Sequence, residues 1–234
     1  MSRGARIGFI ALMLALTALF AALGAWQVER LSEKERLIAT VDQGLNSPPV
    51  PLAEATDYRP VTLSGTYIPG STVLVFTSLA DTQGQYSGPG YWVMTALALD
   101  GGGSVYVNRG FVPQAQGAEF AAAAPPAGPQ ALTGIARRAE GGGSFTPAAD
   151  LANRIDWIRD PQRLAAFAED LPQPLSRYFV DLPAGAPGEL PQGGETVIEF
   201  PNSHLGYAIT WFGFAIITPI LLGFWIARQR KGKG

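Results

Sequence analysis

The stretch IGFIALMLALTALFAALGAW at residues 7–26 contains 20 residues and no charge. As an α-helix with a rise of about 1.5 Å per residue, it would span roughly 30 Å, the thickness of the hydrocarbon core of a bilayer. A second uncharged stretch, LGYAITWFGFAIITPILLGFWI at residues 205–226, is 22 residues long. The sequence therefore predicts two transmembrane helices, at residues 7–26 and 204–227, on either side of a segment of ordinary soluble composition, residues 27–203.

The first apolar stretch has a second interpretation, as a signal peptide that is cleaved after export. Its basic start and the small residues Ala22 and Gly24 fit that interpretation. The apolar core of a signal peptide usually runs about 7–15 residues, however, and this stretch is longer. We therefore predict a retained membrane anchor.

The two tails of the chain carry an asymmetric charge. Residues 1–6 include two basic residues, residues 228–234 include four, and neither tail has an acidic residue. Because basic residues flank transmembrane helices on the cytoplasmic side, we expect both termini in the cytoplasm. Residues 27–203 would then lie across the membrane. In a bacterium this arrangement means a periplasmic domain held at the cell inner (plasma) membrane.

The composition excludes several classes of protein. Of 234 residues 15% are charged, against roughly 25% in soluble proteins, and the deficit is confined to the two apolar stretches. That pattern argues against a soluble cytosolic enzyme, a disordered chain and a polytopic transporter. Outside the tails there are 11 basic and 19 acidic residues, which argues against a nucleic-acid partner, because a phosphate backbone binds a basic face. The absence of cysteine excludes disulfides and thiolate chemistry.

Residues 27–203 show the pattern of a β-rich domain that follows a polar helix at residues 29–45. Short β-rich stretches separated by turns predict strands, and Asp160 followed by proline predicts the start of a short helix at residues 160–170. Residues 115–129, rich in alanine and proline, predict a surface loop. We therefore expect an α+β membrane protein whose outer domain is an antiparallel barrel or sandwich. The strands are predicted at residues 59–68, 72–79, 91–99, 105–112, 131–138 and 177–182.

Few residues could serve in catalysis. The only histidine, His204, lies at the edge of the second apolar stretch, and Lys34 is the only lysine outside the C-terminal tail. Residues 27–203 thus contain no histidine for a catalytic triad, and Lys34 is their only candidate for a lysine base or a Schiff base. Carboxylate pairs such as Asp156 with Asp160 are more typical of solvated surface charge than of acid–base catalysis. The sequence therefore predicts that the protein is not an enzyme.

His204 is followed on the same helical face by Tyr207 at i+3 and Trp211 at i+7. One interpretation is structural, an interfacial histidine beside the aromatic belt of a transmembrane helix. The other is functional, because imidazole is a common haem ligand and a membrane helix offers the apolar wall that a porphyrin needs. The spacing alone leaves both interpretations open. In the second, His204 is the axial ligand of the haem iron, and Tyr207 and Trp211 contact the haem.

Two further motifs lie in the outer domain. Asn108 and Arg109 end a predicted strand in the sequence VYVNRGFVP. They fit a structural turn in which the guanidinium pairs with a carboxylate, and a docking site for a partner is the alternative. Trp157 in RIDWIRDPQ is expected to lie in the core or to pack between elements.

Segments spread over nearly the whole chain resemble those of the surfeit locus protein 1 family, which are assembly factors for haem–copper cytochrome c oxidase. The most specific are VNRG followed by an aromatic residue and Val-Pro, and the helix start NSHLGYAITWF. Two positions depart from the family pattern, because Phe111 stands where tryptophan is usual and Ser203 where a second asparagine is usual. The other matching segments are GAWQVERLSEKERLI, YRPVTLSGTYIPG, GYWVMTALAL and DWIRDP.

The resemblance implies a function and a site. It implies that the protein assists in building the haem centre of the oxidase, by binding haem a as a transient cargo and delivering it to subunit I. The family's haem-ligating histidine falls on His204 and its associated tryptophan on Trp211. Subunit I and the lipid bilayer are then the expected partners, with the haem a synthase as a further candidate. The alternative is a membrane-anchored scaffold that stabilises oxidase assembly intermediates without carrying haem.

Overall fold

The computed structural model describes residues 2–80, 82–196 and 203–231. The chain falls into two compact units, one made of Met1–Thr40 with Glu199–Gly234 and the other of Val41–Ile198. The first unit consists of helices and the second is built on a β-sheet, so each is described by itself.

Two long helices account for nearly all the described residues of the first unit. Helix α1 is Arg3–Leu45, 43 residues, whose last residues already belong to the second unit, and helix α4 is His204–Lys231, 28 residues. By length and composition both are apolar and long enough to cross a membrane, which agrees with the two predicted helices. Because α1 continues without a break beyond its apolar stretch, the polar helix predicted at residues 29–45 is confirmed as its extension.

The two helices face each other along one stripe of side chains. In α4 the stripe advances by four and three residues alternately, the spacing of a coiled-coil seam. The ring centroid of Phe9 lies 4.7 Å from that of Trp225, whereas the ring centroid of Phe20 lies 5.8 Å from that of Trp211, so the helices run antiparallel. The stripe of α4 consists of His204, Ala208, Trp211, Ala215, Thr218, Leu222, Trp225 and Gln229.

Gly24 brings the two helices close together. It is buried, and a Cβ atom added to it would lie only 2.8 Å from the ring of Phe212. Small residues at such positions allow membrane helices to approach closely. The close approach of α1 to α4 therefore depends on the fact that glycine has no side chain at position 24.

The described residues of the second unit, 41–80 and 82–196, contain eight strands in one sheet. In chain order the strands are β1 Val50–Pro51, β2 Arg59–Tyr67, β3 Val73–Leu79, β4 Gly88–Leu99, β5 Ser104–Pro113, β6 Pro129–Arg138, β7 Ile155–Asp156 and β8 Leu175–Asp181. Hydrogen-bonded neighbours follow the order β1-β2-β6-β8-β5-β4-β3-β7. The six longer strands fall where the sequence predicts strands, while β1 and β7, of two residues each, were not predicted.

The sheet differs from the predicted antiparallel barrel or sandwich. It is a single sheet, neither a closed barrel nor two stacked sheets, and three of its pairs, β1–β2, β3–β7 and β5–β8, are parallel. Parallel neighbours need a long connection, and β5 is connected to β8 by residues 114–174, which include β6 and β7. A short additional pairing of β2 residues 65–67 with β4 residues 97–99 curls the sheet.

Both faces of the sheet are covered, because successive side chains of a strand point to opposite faces. Tyr106 of β5 and Phe179 of β8 belong to one apolar cluster together with Leu164. Val107 and Val180, the next residues on the same strands, belong to a second cluster. All five side chains are fully buried, and burial of such a side chain stabilises the fold by about 1.5–3 kcal/mol.

Two short helices flank the sheet. Helix α2 is Gly117–Ala122, so the loop predicted at residues 115–129 is partly helical, as its alanines permit. Helix α3 is Pro161–Leu164, and the carboxylate of Asp160 accepts a hydrogen bond from the backbone N–H of Gln162 at 2.9 Å. That contact confirms the predicted helix start. A 3₁₀ turn, Ala165–Phe167, follows α3, so the helical segment is shorter than predicted.

Candidate functional site

His204 is the first residue of α4, and its side chain is half-buried against α1. Its Nδ1 lies 2.8 Å from Oε1 of Gln27, and Gln27 is only 8% exposed. Because an amide oxygen can only accept a hydrogen bond, the imidazole donates from Nδ1. The lone pair of the neutral ring is then on Nε2, where it is available to a metal ion.

Trp211 lies two helical turns beyond His204, about 10 Å further along α4. Its ring stacks on Phe20, with the centroids 5.8 Å apart and the planes at 21°, and meets the edge of Phe214 at 6.1 Å. Phe20 and Phe214 are 5.5 Å apart, so the three rings form one aromatic cluster. Phe20 precedes Gln27 by the same seven residues that separate His204 from Trp211. Helix α1 thus supplies one partner to each of the two α4 residues.

Tyr207 does not belong to the stripe that faces α1. Its side chain is 55% exposed, although it lies one turn from His204. An exposed tyrosine near the end of an apolar helix is typical of the membrane–water interface. The structure therefore places His204 and Trp211 on one face and Tyr207 on another, and a haem contact by Tyr207 stays a prediction.

The site offers one imidazole and several apolar rings. Among residues 2–80, 82–196 and 203–231, no three histidine, cysteine, aspartate or glutamate side chains are grouped so that they could hold a metal ion. A lone imidazole suits an iron whose other ligands arrive with it, as in a porphyrin, better than a bare ion. Aromatic rings on the same face as His204 offer the apolar contact that a porphyrin needs. The residues present thus fit a haem with one protein ligand.

Gln27 was not predicted as a site residue from the sequence. It follows the uncharged stretch directly, in the sequence GAWQ, where a polar residue simply marks the end of a membrane span. The signal that could have identified it is the equal spacing in the two helices. In an antiparallel pair, a seven-residue step in each helix places Gln27 beside His204 and Phe20 beside Trp211.

Asp181 at the end of β8 is the centre of a buried polar network in the second unit. It is 2% exposed and accepts hydrogen bonds from Asn108 at 2.8 Å and from Thr196 at 2.9 Å. The guanidinium groups of Arg137 and Arg159 each lie 3.5 Å from its carboxylate oxygens. The Asn108 amide therefore has a structural partner, but the predicted turn is wrong, because Asn108 lies within β5 and pairs with Met94 of β4.

Arg109 differs from the expectation that its guanidinium pairs with a carboxylate. It lies over the ring of Tyr67, 5.7 Å from the centroid, and the described part of the chain gives it no salt bridge. Burial lowers the pKa of Arg109 and raises that of Tyr67, and each shift is partly offset by the attraction between the two groups. A cation on an aromatic face replaces the expected ion pair.

Asp156 contradicts the prediction of solvated surface charge. It is fully buried, and its carboxylate accepts hydrogen bonds from Arg163 at 2.5 and 3.0 Å. The hydrogen bond to Asp156 raises the pKa of Arg163. The neighbouring Trp157 has its ring centroid 5.5 Å from that of Phe76 and donates its indole N–H to a backbone carbonyl. The contact with β3 agrees with the predicted packing between elements, whereas a core position is wrong, because Trp157 is 37% exposed.

Comparisons with known proteins give consistent results. The model of the family described as "SURF1 family" matches residues 14–216. A SURF1-like protein of Monosiga brevicollis is 33% identical over 227 residues, covering 90% of this chain and 83% of the relative. Surfeit locus protein 1 of Rattus norvegicus is 30% identical over 85% of this chain and 69% of its own. A SURF1-like protein of Rickettsia felis is 27% identical, and the match covers 83% of this chain and 86% of the relative.

Proposed function

Since the chain belongs to the SURF1 family, we propose that it is an assembly factor for haem–copper cytochrome c oxidase. In this proposal it binds haem a within the membrane through His204 and delivers it to subunit I of the oxidase. The lipid bilayer and subunit I are its partners, and the haem a synthase is the candidate source of the cargo. The protein acts as a carrier rather than as an enzyme.

The observation that carries the proposal is the state of the single imidazole. His204 is held by Gln27 through Nδ1 at 2.8 Å, which leaves Nε2 as the nitrogen for iron. A histidine with only an interfacial role has no need of a buried partner on another helix. The aromatic cluster of Phe20, Trp211 and Phe214 then provides apolar surface on the same face.

The chemistry of haem a supports a membrane carrier. Haem a has a long isoprenoid tail, so its free form partitions into the bilayer, and a carrier must meet it there. Both helices are apolar enough to cross that bilayer. A carrier must also release its cargo, and one axial imidazole holds an iron less firmly than two would. The residues of this chain therefore bind and orient the haem, and one ligand exchange frees it.

The proposed placement in the membrane follows from the charges of the tails. Both termini lie in the cytoplasm, and the β-sheet unit lies in the periplasm. Helix α1 is retained as an anchor in this proposal, because it supplies Gln27 and Phe20 to the site.

Co-expression with a haem a synthesis pathway tests the proposal. The purified wild-type protein is expected to carry haem a, identified by its optical spectrum after extraction, and His204→Ala is expected to lose most of it. A matched control is Trp225→Leu, which changes an aromatic residue of the same stripe near the other end of α4 and should retain haem. If His204→Ala retains wild-type haem with an unchanged spectrum, the protein is better described as a scaffold that carries no haem.

A further inference from the structure

The contact between Gln27 and His204 has the geometry of the hydrogen bond that orients a metal-binding histidine. In metalloproteins the ring nitrogen that does not bind the metal usually donates to a fixed acceptor, which sets the tautomer and the ring orientation. Here the acceptor is an amide oxygen 2.8 Å from Nδ1. It comes from another helix, 177 residues away in sequence.

The burial of Gln27 indicates that this contact has a specific role. The side chain is 8% exposed, whereas the next two residues along α1, Val28 and Glu29, are exposed. Burying an amide without a hydrogen-bond partner destabilises the folded state. If packing were the only requirement, a leucine at this position between the helices would be more stable than a glutamine. Within the described part of the chain, the imidazole of His204 is the only hydrogen-bond donor to the side-chain oxygen of Gln27.

The packing below Gln27 fixes where the amide lies. Phe20, two turns earlier in α1, stacks on Trp211, and Gly24, one turn earlier, accepts the ring of Phe212 against its backbone. These contacts set the register of α1 against α4. A shift of one residue along the helix, about 1.5 Å, would move the amide oxygen out of hydrogen-bond range of Nδ1.

We propose that Gln27 is the positioning residue of the haem site: its amide oxygen accepts the Nδ1 proton of His204, selects the Nδ1–H tautomer and presents Nε2 to the iron. The proposal rests on the proposed haem-binding function and adds α1 to the site. Gln27 acts through His204 and does not touch the iron. A neutral acceptor strengthens the imidazole as a ligand less than a carboxylate would, which suits a carrier that must release its cargo.

The haem-free protein provides the first test. Because His204 is the only histidine, labelling histidine with ¹⁵N gives nuclear magnetic resonance signals from this ring alone. In the full chain in lipid nanodiscs, at a pH where the ring is neutral, we expect the proton on Nδ1. Gln27→Leu should shift the population toward the Nε2–H tautomer that neutral histidine favours in water. Gln43→Leu, the same change at an exposed position of α1, should leave the wild-type spectrum.

Two results would overturn the assignment. A wild-type ring with its proton on Nε2 would mean that the amide presents its N–H group to Nδ1 instead. A Gln27→Leu spectrum identical to that of the wild type would mean that something else selects the tautomer. Neither measurement involves haem, so the tautomer assignment can fail even if the wild-type protein is found to carry haem a.

The haem-loaded protein provides the second test. Loss of an outer hydrogen-bond partner typically lowers metal affinity by about 10–100-fold, and we expect a loss of that size for Gln27→Leu. Gln27→Glu keeps an acceptor and should retain haem. Its stronger acceptor makes the imidazole a better donor to ferric iron, so the midpoint potential should fall below that of the wild type. A purely structural role for Gln27 predicts no such change of potential, and an unchanged potential in Gln27→Glu would contradict the proposal. If the wild type itself binds no haem, the proposed function fails and so does the role of Gln27 toward iron.

Discussion

Asp181 joins several polar side chains in the interior of the second unit. Its carboxylate is 2% exposed and faces two guanidinium groups whose side chains are themselves 13% exposed, those of Arg137 and Arg159. Removing one partner of a buried ion pair leaves the other charge without compensation. Asp181 therefore matters more for stability than an exposed carboxylate.

We expect Asp181→Ala to lower the free energy of unfolding by about 3–5 kcal/mol, because two largely buried arginines lose their shared partner. Chemical unfolding of the full chain in detergent, followed by tryptophan fluorescence, measures the change. Asp100→Ala, which removes an exposed carboxylate between β4 and β5, is the matched control and should change the value by no more than about 0.5 kcal/mol. Equal effects of the two substitutions would mean that the network contributes nothing specific.

Single residues were predictable from the sequence where the signal is local. His204 and Trp211 share a helical face by spacing alone, and Asp160 is followed by the proline that begins α3. Gln27 and Asp181 were not predictable in this way. The partner of Gln27 is 177 residues distant, and the partners of Asp181 come from separate strands and loops, so only the folded chain brings them together.

Among the structural elements, the helix pair depends on Gly24. A leucine at this position would begin with a Cβ atom 2.8 Å from the ring of Phe212, and overpacking of this kind costs about 1–3 kcal/mol. We expect Gly24→Leu to separate the helices and to reduce bound haem. Gly8→Leu is the control, because a Cβ atom there has nothing within 4 Å. Haem recovered per protein and the thermal unfolding midpoint in detergent are the measurements, and indistinguishable variants would contradict the close approach of the helices.

Glu140, in the long connection between β6 and β8, forms a salt bridge with Arg159, which also lies 3.5 Å from Asp181 of β8. Burial alone would raise the pKa of this carboxyl, but the charge and the hydrogen bonds of Arg159 lower it below its ordinary value of 4.5. A carboxyl with a lowered pKa stabilises the folded state above its unfolded pKa, and the stabilisation is lost as the pH falls through the folded value.

We therefore expect the wild type to lose stability as the pH falls below about 4.5, with Glu140 contributing part of that loss. Glu140→Gln should be less stable than the wild type at neutral pH and should show a smaller decrease on acidification. Urea unfolding of both proteins between neutral and acidic pH measures this. Parallel curves for the two proteins would exclude the Glu140–Arg159 pair as a source of the pH dependence.

Strands were easier to predict than their pairing. The alternation of buried and exposed residues in β2 is a local signal, and it identified the strand almost to the residue. The parallel pairing of β5 with β8 depends on the course of residues 114–174 between the two strands, which no local sequence pattern determines. Helix α2 was missed because prolines beside its alanines indicated a loop.

At the scale of the whole molecule, the proposed topology places both ends of the chain in the cytoplasm. A reporter that is active only outside the cytoplasm, fused after Gly234, should be inactive, because the tail at residues 228–234 holds four basic residues and no acidic one. The same reporter inserted in the exposed loop at residues 141–143 should be active. The opposite pattern would contradict a two-helix anchor with a periplasmic β-sheet unit.

The central claim is that His204 of this chain ligates the iron of haem a. The most direct measurement is electron–nuclear double resonance of the ferric, haem-loaded protein in which only histidine carries ¹⁵N. Since the chain has one histidine and the porphyrin nitrogens remain ¹⁴N, a ¹⁵N hyperfine coupling can arise only from His204. We predict a strong ¹⁵N coupling of a directly bound nitrogen. A haem-loaded protein without that coupling would show that the iron is held by another ligand and would contradict the claim.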